Sequence, residues 1–329
     1  MRSSSFAAAI LLAGMTWAGA AGAQQSAQGF GVERFYPSAP GAGWFVMDSL
    51  DMHGNLGGVM ALTLGYAHDP WRVRSADGSQ RLAVVSDEAF ADFGFAVTYD
   101  RFRLYLNMDM PLAIEGQSGT VRGVSYTAPT VDPGSSPDTL SDARVGFDAR
   151  ILGDERSPFR LGAGAQLLIP NGNTCWVDTT VKYRCDYDTD GTYRAMGRVL
   201  FAGDVGAFTY AGQVGIHIRP RDDTPVPGPQ GSELLFGAAA GARIPVSGSS
   251  RTAFVLGPEV YGATALRSLF GTTSTALEGL LTARVEGTAD DGPQLRFKLG
   301  PGVGLDQHFG APEWRVVVGI EVFDRVRPR

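Results

Sequence analysis

The feature that most constrains this chain is a strict alternation of apolar and polar residues, repeated in long segments. In residues 142–151 one side of the alternation reads Ala, Val, Phe, Ala, Ile and the other reads Asp, Arg, Gly, Asp, Arg. Similar runs occupy 102–112, 208–219, 295–306 and 314–322. A period of two residues is typical of β-strands. Runs of about 9 to 12 residues suit a tilted membrane crossing, whereas strands of globular proteins average about 5 to 6.

The alternation leaves two fold classes open, a secreted β-sandwich and a membrane β-barrel. After residue 23 no stretch approaches the ~20 continuous apolar residues that a membrane-spanning helix needs. The alternating segments number about twelve, and they lie near 58–73, 88–100, 101–115, 140–152, 158–170, 191–203, 207–219, 232–246, 252–266, 275–287, 293–306 and 313–323.

The connectors between these segments favour the barrel. Residues 116–139, 171–190 and 220–231 are long and polar, and the connectors between them, such as 100–101, are short. Long loops at one end and short turns at the other are typical of outer-membrane barrels. We therefore predict an all-β fold, a transmembrane antiparallel up-and-down β-barrel of about twelve strands, with fourteen still open.

The N-terminus has the pattern of an export signal. Arg2 precedes the apolar stretch 6–17, and small residues at 21–23 precede Gln24. This is the charged start, short apolar middle and small-residue exit of a signal peptide. The predicted domains are a signal peptide at 1–23, a periplasmic or plug segment at 24–56, and a barrel at 57–329. The predicted location is the outer membrane of a Gram-negative cell.

The charge distribution excludes a nucleic-acid partner. The chain has a formal net charge of −6, and only two of its 28 basic residues are lysines, Lys182 and Lys298. A nucleic-acid footprint needs clustered positive charge, which is missing here. The expected partners are outer-membrane lipid and the barrel-assembly machinery, with small solutes as possible ligands and no cofactor.

Several short stretches carry a family resemblance. They are Glu33–Phe35 with Gly43–Trp44, Asp48–Leu50, Tyr66–Pro70, Glu233–Gly237, Gly257–Gly262 and Gly310–Val316. Together they resemble the N-terminal barrel of bacterial OmpA-family proteins of the larger, twelve-strand type. The resemblance implies that an aromatic residue near the end of the last strand is recognised during assembly, and Phe323 is the candidate. That family usually carries a peptidoglycan-binding domain after the barrel; because this sequence ends at Arg329, we do not expect wall tethering.

The polar side of the strands is predicted to face the lumen, where both charge signs mix. It could form a salt-bridge network that closes the barrel or line a small-solute pore. The predicted lumen charges are Arg103, Asp109, Asp142, Arg144, Asp148, Arg150, Arg194, Arg198, Arg284, Glu286, Arg296, Arg315 and Glu321.

The connector 171–190 holds two further candidate sites. Cys175 and Cys185 are predicted to form a disulfide, which would contribute about 2.7 kcal/mol in the chain-entropy model. Asp186, Asp188 and Asp190 precede Gly191 as in a calcium loop, but Gly197 replaces the bidentate Glu, so an EF-hand is excluded. A weak outer-loop Ca²⁺ site remains an alternative to a solvated acidic loop.

No catalytic constellation emerges. The four histidines, at 53, 68, 217 and 308, share no metal-ligand spacing such as H-E-x-x-H. We therefore predict no enzyme. The expected function is mainly structural, with passive passage of small solutes possible. The alternatives are a dedicated porin or transporter and a surface-loop adhesin or receptor; the sequence names neither solute, partner nor oligomeric state.

Overall fold

The computed structural model describes most of the chain after the predicted signal peptide. The described residues are 25–26, 30–52, 56–75, 77, 79–129, 142–154, 157–170, 175–176, 184–185, 187, 189–221, 231–246, 252–287, 294–306 and 310–325. Within these ranges no helix is long and apolar enough to cross a membrane.

Twelve antiparallel strands form one closed barrel, which confirms the predicted fold. They are β1 (Leu56–Arg74), β2 (Arg81–Tyr99), β3 (Phe102–Glu115), β4 (Ala143–Leu152), β5 (Arg160–Ile169), β6 (Arg194–Val205), β7 (Phe208–Ile218), β8 (Glu233–Pro245), β9 (Thr252–Ala265), β10 (Thr275–Gly287), β11 (Gln294–Asp306) and β12 (Trp314–Arg325). Each strand pairs with its neighbours along the chain, and β12 closes the barrel by pairing with β1. Closure leaves no sheet edge unpaired, as a membrane-spanning sheet requires.

The alternation places the apolar residues outside and the polar residues inside. In β11, Leu295, Phe297 and Leu299 are each about half exposed, while Arg296 and Lys298 between them are buried. This is the reverse of a protein in water, where a belt of exposed large apolar side chains is avoided. The outer belt is therefore the lipid-facing surface of a membrane barrel.

Aromatic side chains lie towards both ends of the outer surface. At the short-turn end Phe102 stacks on Phe147 with ring centroids 5.8 Å apart. At the long-loop end Tyr66 contacts Trp314 at 5.2 Å. Aromatic girdles at the two interfaces are typical of outer-membrane barrels.

Strands β1 and β2 are longer than the sequence predicts. The sequence placed the second strand at 88–100, whereas β2 begins at Arg81. The extra residues are strand because Leu82, Val84 and Val85 are buried in an apolar cluster beyond the barrel wall. That cluster also contains Trp71 and a short hairpin of Gly119–Val121 and Val124–Tyr126, and it covers the long-loop end.

Candidate functional site in the barrel lumen

The lumen is occupied by the chain's own N-terminal segment. We call residues 30–52 the plug. Four of its large side chains, Phe35, Trp44, Met47 and Leu50, are at most 1% exposed and form one cluster with residues of the wall. The sequence of this segment lacks the two-residue alternation of a β-strand, because its side chains contact the wall on all sides.

The plug runs through the whole length of the barrel. At the long-loop end the short strand Gln25–Ser26 pairs with Val124–Ser125, and Phe30 contacts Trp71 with ring centroids 5.0 Å apart. At the short-turn end the Arg150 guanidinium donates to the carbonyl oxygens of Leu50 and Met52, at 3.2 and 2.8 Å. The chain therefore enters at the outer end and descends through the lumen before β1 begins.

A glutamate of β9 anchors the middle of the plug. The Glu259 carboxylate accepts hydrogen bonds from the backbone N–H groups of Phe45, Val46 and Met47, at 2.8, 3.0 and 3.2 Å. It also accepts one from the Thr282 hydroxyl. Glu259 is fully buried, and a buried carboxylate is tolerated only when its oxygens are bonded in this way.

A second anchor joins the plug to the wall through Arg103. Its guanidinium binds the carboxylate of Asp48 in the plug and that of Asp148 on β4, the latter at 3.0 Å. Arg198 reaches the other oxygen of Asp148 at 3.1 Å. Four buried charges thus form one network.

A third anchor lies on β11 and β12. Glu321 binds Arg296 at 2.7 Å and Lys298 at 2.8 Å. The Arg296 guanidinium also donates to the carbonyl oxygen of Gly41 at 3.2 Å, and the Lys298 ammonium lies 4.9 Å from the centroid of the Phe45 ring. Cation–π contacts of this kind add stability when the cation is desolvated.

The upper plug is held by further ion pairs. Arg315 binds Glu278 at 2.7 Å and Glu33 of the plug at 2.8 Å. Arg34 of the plug binds Glu233 at 2.7 Å.

At the outer end the plug binds a loop residue, Asp190. Its carboxylate accepts from the Gly31 backbone at 2.8 Å and pairs with Arg219 at 2.6 Å. Burial alone would raise the pKa of Asp190, but the Arg219 and Arg194 guanidinium groups hold that pKa well below its usual range.

The structure places all thirteen predicted lumen charges on the inner face of the wall. Asp142 pairs with Arg194 at 2.8 Å, and Glu286 pairs with Arg284 at 3.1 Å. Arg144 donates to the carbonyl oxygen of Pro37. Among the carboxylates of this set, Asp109 differs in that its Oδ1 is buried without a hydrogen-bond partner.

Sequence reasoning missed the charged residues of the plug, Glu33, Arg34 and Asp48. They lie in a segment without alternation, so no period assigned them a face. The sequence signal that could have found them is the presence of charged residues among bulky apolar ones. Such charges are buried with their apolar neighbours and therefore need partners on the wall.

The two predicted loop sites lie largely outside the described residues. The backbones of Cys175 and Cys185 are paired directly opposite each other in a short antiparallel ladder, but their side chains lie outside the described part. Asp186 and Asp188 lie outside it too. In the described ranges no group of three or more histidine, cysteine, aspartate or glutamate side chains is arranged to hold a metal ion. Both sites remain predictions.

The predicted assembly residue, Phe323, lies on the inner face. Its ring is 3% exposed, and the Arg296 guanidinium lies 5.0 Å from the ring centroid. Its neighbour Val322 is the residue that faces lipid. The role of Phe323 in assembly stays a prediction.

Of the four histidines, two lie in the described ranges. His217 is buried in the lumen, where its Nδ1 lies 3.4 Å from Glu233. His68 pairs with Asp87 at 3.0 Å and is partly exposed. The other two, at 53 and 308, lie outside the described residues.

Comparison with known proteins supports the fold. No protein-family model matches the sequence. No curated protein matches it either. Among solved structures, an outer membrane channel from Pseudomonas putida F1 is similar with a TM-score of 0.51 at 12% identity, covering 84% of this chain and 97% of that one. The NanC porin aligns with a TM-score of 0.42 at 8% identity, over 81% of this chain and all of that one. The β domain of the Bordetella autotransporter BrkA aligns at 0.41 and 14% identity, over 81% and 99%. This chain has the fold of an outer-membrane β-barrel.

Proposed function

We propose that this protein is a plugged outer-membrane barrel whose main role is structural and whose lumen is closed at rest. The observation that carries the proposal is the fixing of residues 30–52 at several depths, by Asp190, Arg315, Glu259 and Arg150. Each anchor satisfies charges that would otherwise line an aqueous pore. The lumen charges therefore serve as a network that binds the plug, and solute passage requires the plug to move.

Planar-bilayer recordings test this role. The wild-type protein is expected to be silent, and a variant lacking residues 30–52 to show discrete conductance steps, because the emptied lumen is lined by charge. Heat-modifiable migration on gels checks that both proteins are folded. Steady conductance from the wild type at the level of the deletion variant would contradict the proposal.

A dedicated channel with a movable plug is the second candidate. It is favoured by the similarity to a protein described as an outer membrane channel, with 97% of that chain covered. In this case the wild type opens transiently, and the plug is a gate.

A cross-link separates the two candidates. A Cβ added at Gly41 of the plug would lie 3.9 Å from the Val59 Cβ on β1, within the range of a disulfide. We suggest G41C with V59C in a C175S/C185S background, with heat-modifiable migration as the check of folding, because Gly41 has a φ of 84° that strains any side chain. A gate predicts openings that the oxidised variant loses and reductant restores, with the C175S/C185S protein as control. A structural barrel predicts silence in both redox states.

We further propose that the protein is exported by residues 1–23 and resides in the outer membrane, as its fold supports. Cell fractionation should place it with outer-membrane markers, and purified mature protein should stay monodisperse only with an amphiphile. Folded, monodisperse protein in plain buffer would contradict the membrane location. Membership of the OmpA family rests on the short stretches given above and remains a proposal.

We propose that Cys175 and Cys185 form a disulfide that closes the outer loop, because their backbones are register partners. Thiol labelling of intact cells should modify them only after reduction. Labelling without reductant would contradict the disulfide.

A further inference from the structure

One cavity in the lumen wall is not explained by anchoring of the plug. It has a volume of about 40 Å³ and lies between the upper plug and strands β2 to β6. Its polar lining on β2 and β3 comprises Glu88, Asp92, Asn107 and Asp109. We call this space the acidic cavity. A space of this volume holds about two or three water molecules, or one small ion with part of its hydration shell.

Two carboxylates face each other across this cavity on neighbouring strands. Asp92 on β2 and Asp109 on β3 are direct register partners. Directly opposed residues have Cβ atoms about 4.5 to 5.5 Å apart, where like charges are destabilising. The arrangement therefore needs a positive charge between or beside the two side chains.

The hydrogen bonds and ion pairs of the positive side chains around the cavity go to other groups, while Arg144 Nη1 and Arg194 Nε are buried without a hydrogen-bond partner. Arg194 pairs with Asp142, and Arg144 donates to the carbonyl oxygen of Pro37 in the plug. The Lys298 ammonium, across the lumen, binds Glu321 at 2.8 Å. None of these bonds neutralises Asp109.

Carboxylates outnumber guanidinium groups in the lining of the cavity. Five carboxylates and two guanidinium groups line it, namely those of Glu33, Glu88, Asp92, Asp109, Asp142, Arg144 and Arg194.

An independent observation points to a ligand. Asn107 is 2% exposed, and its amide nitrogen donates to Asp92 at 2.7 Å, which fixes the orientation of the amide. Its Oδ1 is left buried with no hydrogen-bond partner, and so is Oδ1 of Asp109. Buried acceptors without a donor are costly, and a single group bound in the cavity can bond both of them.

We propose that the acidic cavity binds one divalent hard cation through Asp92, Asn107 and Asp109. Carboxylate and amide oxygens are the donors such ions prefer, and Mg²⁺ in particular is held by one or two carboxylates and retains several waters. A cation also offsets part of the negative charge of the five carboxylates that line the cavity. Glu33, Tyr36 and Pro37 of the plug line the same cavity, so the plug covers the ion on the side away from β2 and β3.

Mn²⁺ uptake by the folded protein in detergent tests the site, since electron paramagnetic resonance counts the free ion. The protein is refolded with Mn²⁺ so that access through the plug is not limiting. The wild type is expected to bind one Mn²⁺ per chain, and Mg²⁺ or Ca²⁺ should displace it. No stoichiometric uptake would overturn the proposal.

Matched variants locate the ion. Asp109→Asn should weaken binding at least tenfold, and Asp92→Asn serves as a second variant if the first does not fold. Asp204→Asn is the control, because Asp204 also faces the lumen but is paired with Arg160 at 2.7 Å; it should bind like the wild type. Retained binding in both folded cavity variants would overturn the site. So would loss of binding in a D186N/D188N variant of the outer loop.

Discussion

At the residue scale, the lumen is a set of buried charges, most of which have a partner on the plug or across the wall. Glu259 is the clearest case, because one carboxylate accepts from three consecutive backbone N–H groups of the plug. Such charge-assisted bonds are stronger than neutral ones. The plug is therefore fixed by a few side chains and not by apolar contact alone.

Glu259→Gln should loosen the plug without unfolding the barrel. The amide keeps the shape but loses the charge and one acceptor, which costs about 1 to 3 kcal/mol for a buried site. We expect brief conductance steps in bilayers where the wild type is silent. Glu313→Gln is the matched control, because that carboxylate is about half exposed at the rim. Equal conductance from both variants would show that Glu259 is not an anchor.

Asp190→Asn should reveal a pH-dependent anchor at the outer end. Because Arg219 and Arg194 hold the pKa of Asp190 below its ordinary value of 3.8, the ionised form stabilises the fold. This stabilisation is fully present above that ordinary value and is lost as pH falls towards the depressed one. Removing one partner of a buried pair costs about 3 to 5 kcal/mol.

Denaturant unfolding in detergent measures this effect. The difference between wild type and variant should be constant from pH 5 to 8 and should shrink below about pH 4. The exposed Asp154→Asn should leave stability nearly unchanged. A difference that grows on acidification would refute the assignment.

At the element scale, glycines on the inner face make room for the plug. A Cβ at Gly300 on β11 would lie 2.8 Å from the Phe45 ring, closer than side chains tolerate. The missing side chain of Gly300 leaves space for the aromatic ring.

Gly300→Val should therefore displace Phe45, and Phe45→Ala should relieve the effect. We expect the single variant to be less heat-stable, because overpacking costs about 1 to 3 kcal/mol. We also expect it to conduct in planar bilayers. The double variant should lose less stability than the sum of the losses in the two single variants. Strictly additive losses, read from the temperature of heat-modifiable gel migration, would show that the two residues do not meet.

At the scale of the whole molecule, the plug fixes the position of residues 25–26, which closely follow the predicted signal peptide. Residues 25–26 pair with the outer hairpin, at the end where the long loops gather. The chain therefore runs through the lumen from the long-loop end to reach the start of β1 at the short-turn end.

An epitope tag placed after Gln24 tests this arrangement. On intact cells the tag should be accessible to antibody or protease from outside, because it emerges among the outer loops. A tag after Arg329 should be protected until the outer membrane is permeabilised, since β12 ends at the short-turn side. Protection of the N-terminal tag on intact cells would contradict the path of the plug.

The sequence by itself determined the barrel. Alternation over long segments assigns each strand residue to lipid or lumen. The lengths of the connectors distinguish the long-loop end of the barrel from the short-turn end. This local signal yielded twelve strands and the inward charges, such as Arg103 and Glu321. It placed the start of β2 seven residues too late, because Leu82 to Val85 are held by a tertiary cluster and not by alternation.

Only the tertiary structure decided what fills the lumen. The plug has no period, since its residues contact wall on every side, and its partners, such as Asp48 with Arg103, are 55 residues apart in sequence. Which buried charges pair, and which remain unpartnered as in the acidic cavity, depends on distances across the barrel. A strand pattern carries no information about those distances, because it describes each strand's two faces and not what lies opposite them.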